Sequence, residues 1–322
     1  MAPATPPEPL VFVHVPKAAG STFTAILRHH YPGDALDGGI NVFQRLEQAG
    51  PRLEAAATRP GLRAISAEVT FGLAVRHLPA ARYVTILREP VERTVSQLAF
   101  FRSGRGAGLI RPGLPAPGPD LRVQDAIERG YLLDDLQTRL LCGLESPFDP
   151  LPADALERAQ RALAERFLVG TTARFDEFLA LLNVRLGWPT VPYRRARVNR
   201  RNRGHEALAP EELRLLEDAN RLDAELVAFA DAQLGAALAD AGADVETELE
   251  VLRRALPDER RGRRGRVPDA AAVRALDVDA RVALALKEAA LGRQTQAVER
   301  LKRRLRRRAR RIAKLKDARR DA

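Results

Sequence analysis

Apolar runs of strand length alternate with stretches of helical periodicity over much of the chain. The first run, Leu10-Val-Phe-Val-His-Val15, leads through the small-residue turn Pro16-Lys-Ala-Ala-Gly-Ser-Thr22 into a helical stretch, Phe23 to His30. A buried strand, a tight turn and a helix in that order open an α/β domain. Leu62 to Ser66 reads as a shorter strand, and Ala81 to Leu87 repeats the strong signal. Glu89-Pro90 then starts a helix with proline where a missing N–H costs nothing, and Val91, Val95, Leu98 and Phe101 follow at helical spacing. Phe167 to Gly170 reads as a fourth strand, between helices over about Ala153 to Arg166 and Phe175 to Leu186. Strands alternating with helices predict an α/β fold whose mainly parallel sheet is covered on both faces.

Elsewhere the pattern changes character. Ser103 to Pro119 is so rich in Gly and Pro that it sustains neither a helix nor a strand interior, and it reads as a long mobile loop, either a lid or a tolerated insertion. A helix from about Pro210 to Leu238 closes the body, and Asp258 to Pro268 has linker composition. In the tail, Leu291, Val298, Leu305 and Ile312 fall seven apart, with Leu301 and Leu315 in the complementary heptad position and Gln294 and Arg308 interrupting it. This predicts a long basic helix with a narrow apolar seam: solvated or packed on the body, paired as a short coiled coil, or lying on an anionic surface. The expected organisation is a domain over 1–240, a linker or peripheral helical segment over 241–280, and a basic helical tail over 281–322.

Composition narrows the function classes. With 45% hydrophobic and 30% charged residues, the chain has the make-up of a soluble globular protein. The net charge of +11 invites a nucleic-acid reading, but residues 281–322 carry 16 Lys+Arg against 4 Asp+Glu. The remainder sums to −1, so the basicity belongs to the tail and the body is electrically balanced. The single cysteine, Cys142, excludes an intrachain disulfide and a cysteine-rich metal site. No apolar run is long enough to cross a bilayer, and the first residues lack a basic region ahead of the short apolar segment, so a cytoplasmic protein is expected.

The chemistry concentrates at two strand ends. In the first turn, backbone N–H groups at the start of a helix can converge on an anion, with Gly20 and the alanines allowing close approach, Lys17 adding charge, and Ser21 and Thr22 supplying hydroxyls. The order is wrong for a Walker A loop, because the lysine comes first and no Lys stands immediately before Ser21. The second is Leu87-Arg-Glu-Pro-Val-Glu-Arg-Thr-Val-Ser96, where Arg88 stands at the carboxyl end of a strand and Ser96 about two helical turns on. An Arg and a hydroxyl can hold a second phosphate by charge-assisted hydrogen bonds. Taken alone, Arg88 is equally an ordinary ion-pair residue and Ser96 a helix-surface hydroxyl.

At these residues the chain resembles the sulfotransferases that use PAPS (3′-phosphoadenosine 5′-phosphosulfate). Val-Pro-Lys-Ala-Ala-Gly-Ser-Thr22 is similar to that family's 5′-phosphosulfate loop, and Ile86-Leu-Arg-Glu-Pro-Val-Glu-Arg-Thr-Val-Ser96 to its 3′-phosphate motif. Within the family the resemblance is to the uronosyl 2-O-sulfotransferases and their bacterial relatives, extending over Leu136 to Gly143, Val169 to Glu177 and Leu186 to Trp188 and covering roughly residues 10–235. It implies a P-loop-like three-layer sandwich. It also implies that Lys17 and the amides of Ala18, Ala19, Gly20, Ser21 and Thr22 bind the 5′-phosphosulfate, and that Arg88 and Ser96 bind the 3′-phosphate. Arg200 to Arg203 lie where relatives often have a basic segment closing over the nucleotide. The implied reaction is sulfuryl transfer to a hydroxyl, on a glycan or another acceptor.

The chain departs from the family at one position. Many relatives carry Gly-His after the second strand, whereas this sequence reads Ile65-Ser-Ala-Glu-Val-Thr-Phe-Gly72, placing Glu68 where the presumed catalytic His would be. A carboxylate can also take the acceptor's proton, so Glu68 is the first candidate base and His77 the next. The other reading pairs Glu68 with a nearby Arg. His14 is expected to pack or orient the first turn, and His29 and His30 to suit the helix C-terminus as imidazolium. No His pair has ligand spacing with a carboxylate, so no metal is expected. Two other functions fit the same residues: a P-loop-like small-molecule kinase, and a catalytically degenerate domain that only binds, attached through its tail to an anionic partner.

Overall fold

The computed structural model describes residues 9–193 and 208–255. Five strands form one all-parallel sheet: β1 (Leu10–Val13), β2 (Leu36–Asn41), β3 (Ala64–Glu68), β4 (Arg82–Leu87) and β5 (Phe167–Thr171), in the order β2-β3-β1-β4-β5. The helices are α1 (Gly20–His30), α2 (Val42–Ala57), α3 (Phe71–His77), α4 (Pro90–Arg102), α5 (Val123–Glu128), α6 (Leu136–Leu141), α7 (Ala155–Arg166), α8 (Phe175–Leu186), α9 (Pro210–Asp218) and α10 (Arg221–Ala255).

β1 is central because all four of its residues are apolar and buried, as a strand covered on both faces requires. Phe12 meets Phe23 of α1 edge to face at 4.7 Å, fixing the first helix on the sheet. Val13 pairs with Ala67 of β3 on one side and Thr85 of β4 on the other. The carboxyl ends of the three middle strands therefore share one edge, and everything that follows them in sequence starts there.

The strands expected at Leu10, Leu62, Ala81 and Phe167 are all present, and the sheet is parallel throughout. β2 escaped the pattern because it is an edge strand, Leu-Asp-Gly-Gly-Ile-Asn, only partly buried and interrupted by two glycines. The register of β2 shifts between Gly38 and Ile40. The segment 103–119 holds only a 3-10 turn over Gly106–Leu109, yet it is anchored rather than free-standing. Leu109 and Ile110 are buried, and the Tyr131 hydroxyl donates to the Pro115 carbonyl at 3.1 Å. The single helix expected over 210–238 is two, because the chain breaks at Ala219-Asn220: the Ala219 carbonyl accepts from the Asp135 amide, and Asn220 turns its side chain onto Leu216 O.

Close contacts divide the chain into two units, 1–182 with 195–245 and 183–194 with 246–322. The described part of the second unit is held by Glu248, a buried carboxylate that accepts from Asn183 Nδ2 at 2.9 Å and from the Thr190 hydroxyl. The basic segment at 194–203, His205, the linker composition at 258–268 and the heptad tail lie outside the described residues. No helix among the described residues is long and apolar enough to cross a membrane.

Candidate anion-binding site

The turn between β1 and α1 is tightly wound. Lys17 and Ala19 both take left-handed conformations, with φ of 69° and 59°. Such angles are uncommon for residues with a Cβ and mark a turn imposed by its surroundings. The Ala18 side chain is fully buried beneath the turn, while Thr22 N–H and Phe23 N–H bond back to the Ala19 carbonyl at 2.9 and 3.1 Å. Among the described residues the amides of Ala19, Gly20 and Ser21 have no hydrogen-bond acceptor. They sit at the N-terminus of an 11-residue helix, so their N–H groups and the helix dipole together favour an anion.

Gly20 is required for a reason besides ligand approach. A methyl group there would lie 1.8 Å from His14 Nε2. The His14 ring stacks on Phe12 with centroids 5.4 Å apart, and its Nδ1 faces Glu68 Oε1 at 3.6 Å. Glu68 ends β3, and its other oxygen accepts from the side-chain amide of Asn41, the last residue of β2. Asn41 also caps α2, its Oδ1 accepting from Phe43 N–H at 2.8 Å and Gln44 N–H at 3.2 Å. Glu68 is thus joined to the anion turn through one imidazole ring.

The second turn, after β4, lies against the first. Arg88 Nη1 donates to the Lys17 carbonyl at 3.2 Å, while Nη2 and Nε both reach Glu92 Oε2, at 3.0 and 3.3 Å. Glu92, Ser96 and Phe100 are spaced by four on α4 and share a face. Glu92 touches Arg88, and Phe100 carries the Lys17 ammonium 4.2 Å above its ring. Ser96, half-buried, stands between them. Arg105 also approaches the Phe100 ring, at 5.4 Å. Lys17, Arg88 and Ser96 are therefore brought to one place.

His77 is not among them. It ends α3, at the return to the start of β4 and away from the sheet edge that carries the turns, with its Nε2 against Gly50 of α2. The expected imidazolium character at the end of α1 is also corrected: burial lowers the pKa of both His29 and His30, favouring the neutral ring. Arg93, which lies between Arg88 and Ser96 in the sequence, points inward. It is fully buried, donating to Gln97 at 2.7 Å and to the Thr94 hydroxyl at 2.9 Å. Burial lowers its pKa to about 10, with Asp223 opposing the shift, so the guanidinium stays charged at neutral pH.

Beside Glu68, on the far side of Asn41, is a cleft of about 220 Å³ lined by Gly39, Asn41, Gln44, Arg45, Gln48 and Arg52. Among the described residues Arg45 bonds only Gln48, and Arg52 only the Gly39 carbonyl, so neither guanidinium faces a described carboxylate. Residue patterning missed this feature because it depends on β2, which the pattern did not reveal. Among the described residues there is no group of three or more His, Cys, Asp or Glu side chains arranged for a metal ion. No protein-family model matches the chain, and no curated protein matches it.

Proposed function

We propose that this chain is a PAPS-dependent sulfotransferase of P-loop-like architecture, acting in the cytoplasm on a hydroxyl of a carbohydrate acceptor and releasing PAP (3′-phosphoadenosine 5′-phosphate). One observation carries the reading. Two candidate anion grips from different strand ends, the turn of Lys17 with the amides of Ala19 to Ser21, and Arg88, are in direct contact through the 3.2 Å bond from Arg88 Nη1 to Lys17 O. A donor with phosphate groups at two separated positions needs two such grips in one site. The strand order β2-β3-β1-β4-β5, with the first turn leaving the central strand, supports the architecture.

In this reading the amides of Ala19 to Ser21 hold the 5′-phosphosulfate, and Lys17 neutralises charge as the bond from sulfur to the phosphate oxygen breaks. The acceptor oxygen forms the new bond to sulfur, and its proton passes to the Glu68 carboxylate, a step contributing roughly 10²–10⁴-fold. Arg88 and Ser96 take the 3′-phosphate. The acceptor enters over the Arg45–Arg52 cleft, which adjoins Glu68 through Asn41.

Lys17→Ala and Arg88→Ala should each abolish transfer from radiolabelled PAPS to a glycan panel while the fold survives. Near-normal turnover by both variants would remove the assignment. Calorimetry with PAP and ADP separates this reading from a kinase, which needs ADP to bind more tightly.

A further inference from the structure

The geometry points to Gln137 as the positioning residue that aims Arg88, and so sets the preference for a nucleotide carrying a 3′-phosphate; this rests on the donor reading above. β4 ends at Leu87, whose carbonyl accepts the last rung of the sheet from Thr172 N–H at 2.8 Å. One residue further, the main chain of Arg88 has left the ladder. The Gln137 carboxamide takes the place of a neighbouring strand: its Oε1 accepts from Arg88 N–H at 3.0 Å, and its Nε2 donates to the Arg88 carbonyl at 2.8 Å. Only a primary amide offers donor and acceptor side by side in this way, and Asn is one methylene shorter.

Gln137 is itself fixed. It is wholly buried, and its own N–H donates to Asp223 Oδ2 at 3.0 Å. Asp223, near the start of α10, also accepts from Thr138 N–H at 2.7 Å and the Thr138 hydroxyl at 2.9 Å, capping α6. Asp135, preceding α6, returns the arrangement by accepting from Asp223 N–H at 3.0 Å. A run of buried, satisfied polar groups thus leads from α10 to the backbone of Arg88, whose guanidinium projects onto Lys17 O and Glu92. These Gln137 bonds are to main chain and to Asp223, so Gln137 acts on the ligand through Arg88.

The test uses the full chain and three proteins: wild type, Gln137→Met and Arg88→Ala. Binding of PAP and of AMP is measured by calorimetry, alongside the thermal midpoint. Loss of one charge-assisted phosphate contact corresponds to about 10–100-fold in affinity. Gln137→Met should weaken PAP by about 10–30-fold and leave AMP within about twofold, because the first turn is untouched. KM for PAPS should rise in step while kcat changes little, a split that a general loosening of the fold does not produce. A folded variant that keeps the wild-type ratio of PAP to AMP affinity overturns the inference, as does one that loses both ligands equally. Should Gln137→Met fail to fold, Gln137→Asn, which keeps a buried amide too short to span both Arg88 groups, carries the same comparison. If wild type itself binds PAP no more tightly than AMP, and Arg88→Ala is indistinguishable from it, the donor reading fails and the Gln137 inference with it.

Discussion

The turns after β1 and after β4 face the same space but are built on opposite plans. The first is made from main chain: two left-handed residues, a buried alanine and a glycine under an imidazole leave consecutive N–H groups without acceptors. In the second, all but one of the amides are already used. Arg88 N–H is taken by Gln137, Val91 and Glu92 N–H by the Glu89 carboxylate, and Arg93 N–H by the Glu89 carbonyl. A turn with so few backbone donors left must grip an anion mainly through side chains. On the proposed reading, the first turn recognises an oxyanion by backbone geometry, and the second by the direction in which one guanidinium points.

Two substitutions strike these plans at their roots. Asp223→Ala should be the most damaging: it uncaps α6, releases Gln137 and leaves Arg93 buried without the carboxylate that most opposes its loss of charge. Removing one member of such a buried charged set costs about 3–5 kcal/mol. Urea unfolding of the full chain reads this directly, and a loss below about 1 kcal/mol would contradict the foundation described for the second turn. Gly20→Ala comes next, because the new methyl drives into His14 and overpacking of this kind costs about 1–3 kcal/mol. Its functional signature should differ from that of Gln137→Met. PAP and AMP should weaken together, since both place a phosphate on the first turn; selective loss of PAP would erase the distinction between the turns.

The first turn was legible in the sequence and the second only in part, for a physical reason. Backbone cradles are local, so Lys17, Gly20 and the helix start appear together over a few residues. Arg88 was legible as a charge at a strand end, but what orients it is not local: Gln137 is 49 positions away, and Gln137 is in turn tied to Asp223 another 86 on. The burial of a polar residue inside a helix, Gln137 or Arg93, depends on packing that the local pattern does not carry. The fold follows the same rule. Strands with continuous apolar runs were readable, whereas β2, half-exposed and broken by Gly38-Gly39, was not. Without β2, Asn41 could not be placed beside Glu68.

Asn41→Ala therefore tests a smaller, non-local effect on the first turn's side. It removes a helix cap worth about 1 kcal/mol and frees one oxygen of Glu68. Stability should fall by that amount in urea. If Glu68 is the proton acceptor, kcat should change while PAP affinity stays within about twofold; a change confined to PAP affinity would place Asn41 with the nucleotide rather than with the base.

The smallest effect is one of pH, and it belongs to the second turn alone. Asp135 has its pKa raised to about 6, chiefly by burial, with the Asp223 and Asp134 charges adding and two backbone N–H groups opposing. A carboxyl whose folded pKa lies above its unfolded value favours the fold when protonated. Its contribution is complete below the ordinary carboxyl value of 3.8 and lost as pH rises through about 6. Asp135 also sits at φ 45° and ψ 45°, a left-handed conformation that asparagine tolerates well, and an asparagine oxygen can still accept from Asp223 N–H. Asp135→Asn should accordingly be neutral near pH 4 and more stable by on the order of 1 kcal/mol at pH 7, flattening the stability curve between those values. Denaturation across that range decides the point. A variant less stable than wild type at pH 7 would mean that the ionised carboxylate is needed where it stands, and that α6 is held by charge rather than by hydrogen-bond geometry.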